Sequence, residues 1–332
     1  MKTIRSIGIF LLAAALCAGF TGCVPLGRMV AERMEESIMD YKDASTFTAG
    51  NFTYAASDVR RVSVRWLDGS VTLKPGTGTL HADESGVLSA PQQMHWRIKD
   101  GTLEIMYCAS GYTGRFPSDS KALTLEIPAG VDVTVNSLSA PVYGSALHVG
   151  ALALTTLSGA VHLETVAAAD IAVKSTSGAV GLTDVTAADL HLGSTSGAVG
   201  LTDVTAADLH LGSTSGRVDL AGETRADALH VGTVSGAVDA EQLEARTVDV
   251  STVSGSVKLG LAAAADVDID TTSGAVRLTV PTAIGATFRY KTVSGSLHCD
   301  DYRVKGGTSV FGEGGCTATV STVSGSLTVT DR

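Results

Sequence analysis

Residues 175–193 (STSGAVGLTDVTAADLHLG) recur letter for letter at 194–212, and a Ser-Gly pair returns at a nearly constant interval through the rest of the chain. The pairs are Ser158-Gly159, Ser177-Gly178, Ser196-Gly197, Ser215-Gly216, Ser235-Gly236, Ser254-Gly255, Ser273-Gly274, Ser294-Gly295 and Ser324-Gly325, with a degenerate Ser139-Ala140 one period earlier. Counted from Ser139, the steps are 19, 19, 19, 19, 20, 19, 19, 21 and 30 residues. A unit this short has no room for the helical hairpin of the longer repeat families. It suits one coil of a β-solenoid, a unit that cannot bury its apolar face alone and must stack on its neighbours.

The residues ahead of each Ser-Gly alternate: Leu190, Leu192, Ser194, Ser196 in one coil, and Leu209, Leu211, Ser213, Ser215 in the next. Alternation of this kind marks a strand with one buried face. The next apolar residues are Val199, Leu201, Val204 and Leu209, so the parity breaks more than once per coil. The pattern predicts one long strand, one short strand and a turn segment (TDVTAAD), with Gly197 giving backbone freedom at a corner. Both Ser/Thr columns share parity with the leucines, which predicts that they point inward and pair along the stack. That parity argues against an outward hydroxyl array of the kind that orders water. Equivalent strands should pair in parallel at about 4.8 Å, making ten coils a rod of about 45 Å. Crossover handedness predicts a right-handed winding. The fold class is therefore all-β, a right-handed parallel β-solenoid with coils of roughly 19 residues.

The chain opens with Lys2 and Arg5, an apolar run from Ile7 to Phe20, and Thr21-Gly22-Cys23. The run is too short to span a membrane and has the form of an export signal. Small residues before Cys resemble the bacterial lipobox, with Phe20 in place of the usual Leu, so Cys23 is the expected lipidated residue. Residues 1–22 are then a lipoprotein signal peptide, and Val24 favours the outer membrane in a Gram-negative host. Residues 23–50 carry mixed charge and read as a tether with one short helix. Without residues 1–22 the balance is 22 Lys+Arg against 34 Asp+Glu, a formal charge of −12. An acidic surface gives no footprint for nucleic acid.

Residues 51–130 are β in pattern without the repeat and read as an irregular cap. Residues 131–285 are the regular coils, and 286–332 a second cap holding the long interval. Cys299 and Cys316 lie within that interval, and in an exported chain a bridge between them would close the loop that lengthens it. Buried thiols are the alternative, and Cys108 is left over.

The order of these parts resembles the bacterial putative-adhesin family of β-strand-repeat proteins. The resemblance rests on Asp68-Gly69-Ser70-Val71, on a Trp-x-Ile-x-x-Asp-Gly-x-Leu element from Trp96 to Leu103, on Leu123 to Gly130, and on the many copies of Thr-x-Ser-Gly-x-Val. It covers about residues 55–332 and implies a β-repeat fold at the cell envelope. Its motifs are structural, and no binding residues carry over.

Chemistry-bearing residues fall in outward columns. His191, His210 and His230 share one slot in consecutive coils, where imidazoles could ligate zinc or copper or titrate together. Copying alone accounts for two of them, and no metal or other cofactor is expected. Asp170, Asp189, Asp208 and Asp227 form an acidic column, with Asp184 and Asp203 at the other end of the turn. Calcium could bridge them, although Asp at a turn more often bonds its own backbone. The segment Gly193 to Gly197 has the look of a nucleophile elbow without its strand-to-helix context. Polysaccharide-active β-helices gather acids and bases in one groove, whereas this chain spreads its charges. The expectation is a non-catalytic, lipid-anchored rod. Its partners are the membrane, through the anchor, and a glycan or protein ligand at the cell surface. A periplasm-facing structural or sensory module is the alternative.

Overall fold

The computed structural model describes residues 33–86, 88–116, 121–263, 265–299, 302–305, 308–313 and 315–331. Cys23 and the signal segment lie outside the described residues. Among the described residues twelve coils stack through parallel, in-register ladders. In the duplicated pair, Leu190 stands on Leu209, His191 on His210 and Ser194 on Ser213. At about 4.8 Å per step, twelve coils make a rod about 53 Å long.

Each regular coil has three sides. Leu190, Leu192 and Ser194 point inward on the first, Val199 and Leu201 on the second, and Val204 and Ala206 on the third. The turn segment is not a loop. Strands Val180–Ser194 and Val199–Ser213 run fifteen residues straight through it. The corner there is made by one residue per coil in the left-handed region, at φ +53° to +62°: Ala146, Thr165, Asp184, Asp203 and Gly222. That residue drops out of the ladder, so Glu164 pairs with Thr183 and the pairing resumes at Val166 and Val185. A single αL residue reverses side-chain parity in the way a bulge does.

The Ser-Gly corner differs from expectation in two ways. Only the first hydroxyl column is buried: Ser137, Thr156, Ser175, Ser194, Ser213, Thr233, Thr252, Thr271 and Thr322. The serine of Ser-Gly faces solvent, and the glycine takes the inward place. Parity flips two residues earlier than the sequence suggests, at Thr195-Ser196 instead of Gly197-Ala198, because glycine has no side chain to register the change. The buried hydroxyls bond within their own corner and not along the stack. Ser175 Oγ donates to the Gly178 carbonyl at 2.7 Å. Thr233, Thr252, Thr271 and Thr322 accept from the amides of Gly236, Gly255, Gly274 and Gly325 at 2.7–3.0 Å. At Thr156, Ser194 and Ser213 the hydroxyl makes no hydrogen bond. The outward serines tie coil to coil: Ser158, Ser235, Ser254 and Ser273 donate to carbonyls of the preceding coil at 3.3–3.4 Å.

The second correction concerns the glycine. None of the Ser-Gly glycines has a positive φ. What each requires is space, since a Cβ on Gly197 would sit 2.1 Å from the Gly178 carbonyl oxygen and one on Gly178 2.0 Å from that of Gly159. The glycine column lets successive backbones approach at the corner.

Both ends depart from simple stacking in the same manner. Strand Arg61–Trp66 lies between Thr102–Met106 and Asp132–Ser137, and Ser70–Gly76 lies between Ala122–Pro128 and Val142–His148. The second coil in the chain is thus the outermost. At the far end Cys316–Thr322 lies between Asp266–Thr271 and Ala286–Thr292, and Leu327–Thr330 between Val276–Thr279 and Leu297–Cys299. The last coil in the chain is therefore next to last in space. The long interval is the return path, including the hairpin Tyr302–Lys305 with Thr308–Phe311. No disulfide joins Cys299 to Cys316. Cys316 begins the first side of one coil and Cys299 ends the second side of the next, and the Cys316 thiol faces the Ala263 carbonyl at 3.8 Å.

Antiparallel strands close the N-terminal end, where Thr79–Glu84 and Phe52–Ala55 cover Ala122–Pro128 and His95–Lys99 covers Thr102–Met106. Residues 33–39 are helical and dock there. Ile38 is buried, and the Tyr41 hydroxyl donates to the Cys108 carbonyl at 2.9 Å. The segment read as tether is accordingly part of the cap from residue 33 onward.

Candidate functional site

Because every inward position is spent on the core, chemistry is confined to outward columns and to the cap. The histidine column forms as the spacing predicts. His191 and His210 stack with centroids 4.5 Å apart and planes 5° apart, and His210 and His230 at 4.8 Å and 12°. His230 Nδ1 faces Asp249 at 3.7 Å, which continues the column. Burial, then the neighbouring His191 and His230, push the His210 pKa down, against the opposing pull of Asp208 and Asp189. Parallel rings aim their in-plane lone pairs along parallel lines that do not meet. Among the described residues no group of three or more His, Cys, Asp or Glu is arranged to hold a metal ion.

The acidic column is shorter than the sequence suggests. Asp170, Asp189 and Asp208 are in register, but the next position is Ala228, because the following coil has an extra residue. Asp227 instead pairs with Arg246 at 3.0 Å. Asp184 and Asp203 are αL corner residues, and Asp203 Oδ1 accepts from the Glu223 amide at 3.0 Å. Neighbouring charges on other columns are likewise neutralised in pairs: Arg217 with Asp219 and Asp239, Lys258 with Asp239, and Arg225 with Glu223 and Glu244. Among the described residues, two shallow depressions of about 330 and 270 Å³ lie in the later coils. The larger is acidic, lined by Asp249, Asp266 and Asp268 among threonines. Burial raises the Asp268 pKa, with Asp270 and Asp249 adding to it and Lys291 opposing. In the elbow-like segment Ser194 points into the core and Ser196 out, so the two hydroxyls do not converge.

The cap holds a buried ion pair that the sequence reading missed. Lys121 Nζ lies 2.6 Å from Glu84 Oε1, with side chains 1% and 3% exposed. It donates to the carbonyls of Gln92, at 2.6 Å, and Tyr107. The rings of Tyr107, Trp66 and Phe116 surround it at 4.1, 5.1 and 5.5 Å. Burial lowers the Lys121 pKa, and Glu84 holds it up. Nearby, burial pushes the Cys108 thiol up to about 11. The signal was present in parity, because Lys121 is in phase with Leu123, Leu125 and Ile127, and Glu84 with Leu80 and Ala82. An ammonium with three oxygen acceptors and three ring faces is a structural clamp.

The repeated corner and its elaborated cap correspond to a known architecture. A family model described as Toastrack DUF4097 matches residues 59–264 and 238–330. The chain belongs to that family. Two solved structures are similar to this Toastrack chain. One is described as a putative cell adhesion protein from Clostridium sporogenes ATCC 15579, at 8% identity and TM-score 0.22, covering 86% of this chain and 100% of that one. The other is described as a putative adhesin from Bacteroides fragilis NCTC 9343, at 10% identity and TM-score 0.34, covering 86% and 97%. No curated protein matches. Among the described residues no helix is long and apolar enough to cross a membrane.

Proposed function

We propose that this Toastrack chain is a non-catalytic, lipid-anchored rod of the bacterial cell envelope, displaying its outward columns to a glycan or protein partner at the cell surface. The observation that carries this reading is the docking of residues 33–47 onto one end of the rod. Between Cys23 and residue 33 only nine residues remain, a contour of at most about 32 Å. The anchor therefore holds the capped end close to the membrane and leaves the sides and the far end to meet a partner. The spread of charges along the sides of the described coils supports display over turnover. Labelling cells with a palmitate analogue, combined with protease shaving, tests the reading. Label that is lost on Cys23→Ser, in a chain removed by shaving, supports surface display. A labelled chain that resists shaving moves the reading to a periplasm-facing envelope module. An unlabelled chain ends it.

A further inference from the structure

Three of the four large apolar side chains that the described residues expose lie on one corner of the rod, within its last five coils: Val253, Val323 and Val293, exposed 49%, 49% and 82%. In space they follow Val234 up the Ser-Gly corner, with Thr272 between Val253 and Val323, because each amide bonds the carbonyl of the coil beneath. The corner is also poor in charge, although Asp68 stands on it in the Arg61–Gly76 coil beside Ser139. It comprises the residue before each Ser-Gly, the serine, and the residue after the glycine. Over ten coils those three columns contain one charged residue, Arg217, in a chain of which 17% is charged. Arg217 turns toward Asp219 and Asp239 on the neighbouring side. Every other run of outward columns carries acids, bases or histidines.

We infer that this corner is where a second copy of the chain packs, side by side and parallel. The inference rests on the lipid-anchor reading for its direction, because two rods held at the same end by one membrane stand the same way up. The pitch argues for a second copy over an unrelated partner. A column repeating every 4.8 Å or so stays in step over its whole length only with another solenoid of the same spacing. Ten coils give about 48 Å of length, and the three outward columns at about 3.3 Å give about 10 Å of width. Two copies would bury about 950 Å² in total, the size of a small, reversible contact. Shared anchoring raises the effective concentration and favours a contact of that size. A parallel two-fold pair sets each residue against its own mate.

The test uses the full-length chain in its native membrane, with single cysteines at the corner oxidised by copper phenanthroline. Val253→Cys, Val323→Cys and Val293→Cys should each give a disulfide dimer, at least tenfold above the unsubstituted chain. Asp219→Cys, on the adjacent side, should stay at the unsubstituted level. Adding Thr272→Arg to Val253→Cys sets like charges at one height and should cut the dimer at least tenfold, with an unchanged melting temperature showing that the coil is intact. No dimer at Val253 and Val323, or equal dimer at Asp219, overturns the pairing. Dimer at only one of the three heights overturns the parallel arrangement. Palmitate labelling of the same cells reports the anchor separately, so a labelled chain that forms no dimer removes this inference and leaves the proposed function standing.

Discussion

Replacing Gly197 by Ala adds a single methyl group, and its consequence can be worked out from the corner. The new Cβ would lie 2.1 Å from the Gly178 carbonyl oxygen, 2.6 Å from its carbon and 3.0 Å from the Ser177 carbonyl oxygen. Ordinary carbon–oxygen contact needs more than 3 Å, so the corner must open by about 1 Å. The neighbouring ladder resists, since the Ser196 amide bonds Thr176 O at 2.9 Å and the Thr195 amide bonds Ser175 O at 3.2 Å. Overpacking of this order costs about 1–3 kcal/mol, and weakening one or two ladder bonds adds about 1 kcal/mol. The total is about 2–4 kcal/mol, a fall in Tm of about 3–6 °C at this chain length. Gly193→Ala, four residues earlier, is the control. A Cβ there has no neighbour closer than 4.0 Å, so the loss of unfolded-state entropy should stabilise by about 0.5 kcal/mol. Thermal melts of the lipid-free chain from residue 33 onward measure both. Equal shifts for the two variants, or a neutral Gly197→Ala, would refute the close-approach account of the repeat.

Three further outcomes follow from other elements. Thr165 holds φ +54° with a β-branched side chain exposed to solvent, so Thr165→Gly should stabilise by about 1 kcal/mol, read as a higher Tm. Lys121→Met leaves Glu84 charged and buried and should destabilise by about 3 kcal/mol, whereas Lys121→Met with Glu84→Gln should recover part of that in urea melts. His210 has a lowered pKa in the fold, so the unfolded chain binds its proton first as pH falls. Its contribution is complete above the unfolded value near 6.5 and is lost as pH drops toward the folded value. The pH dependence of Tm below 6.5 should be shallower in His210→Ala.

The solenoid was legible because Leu190, Leu192, Val199 and Leu201 return at a fixed interval, and such a period admits few folds. The details that escaped share physical causes. By sequence Ser196 reads as inward, because Gly197, having no side chain, leaves the parity change unmarked. Asp184 and Asp203 looked like acidic ligands because a side chain type does not reveal that its backbone is left-handed. Asp227 left its column because one inserted residue shifted the register of a single coil. The exchange of terminal coils was hidden because all coils offer the same edge, so spacing records chain order and not spatial order. Lys121 and Glu84 were readable from parity, but charged residues discourage an inward assignment.

The Ser-Gly corner makes each coil a unit that stacks only on its neighbours. Deleting residues 175–193 joins Lys174 to Ser194, which occupies the slot of Ser175 in the next coil. Small-angle scattering of the deleted and intact chains is the direct test. The deleted chain should keep the same cross-section and β signature, with a maximum dimension shorter by one strand spacing, about 4.8 Å. A deleted chain that aggregates, loses its β signature or keeps its full length would contradict it.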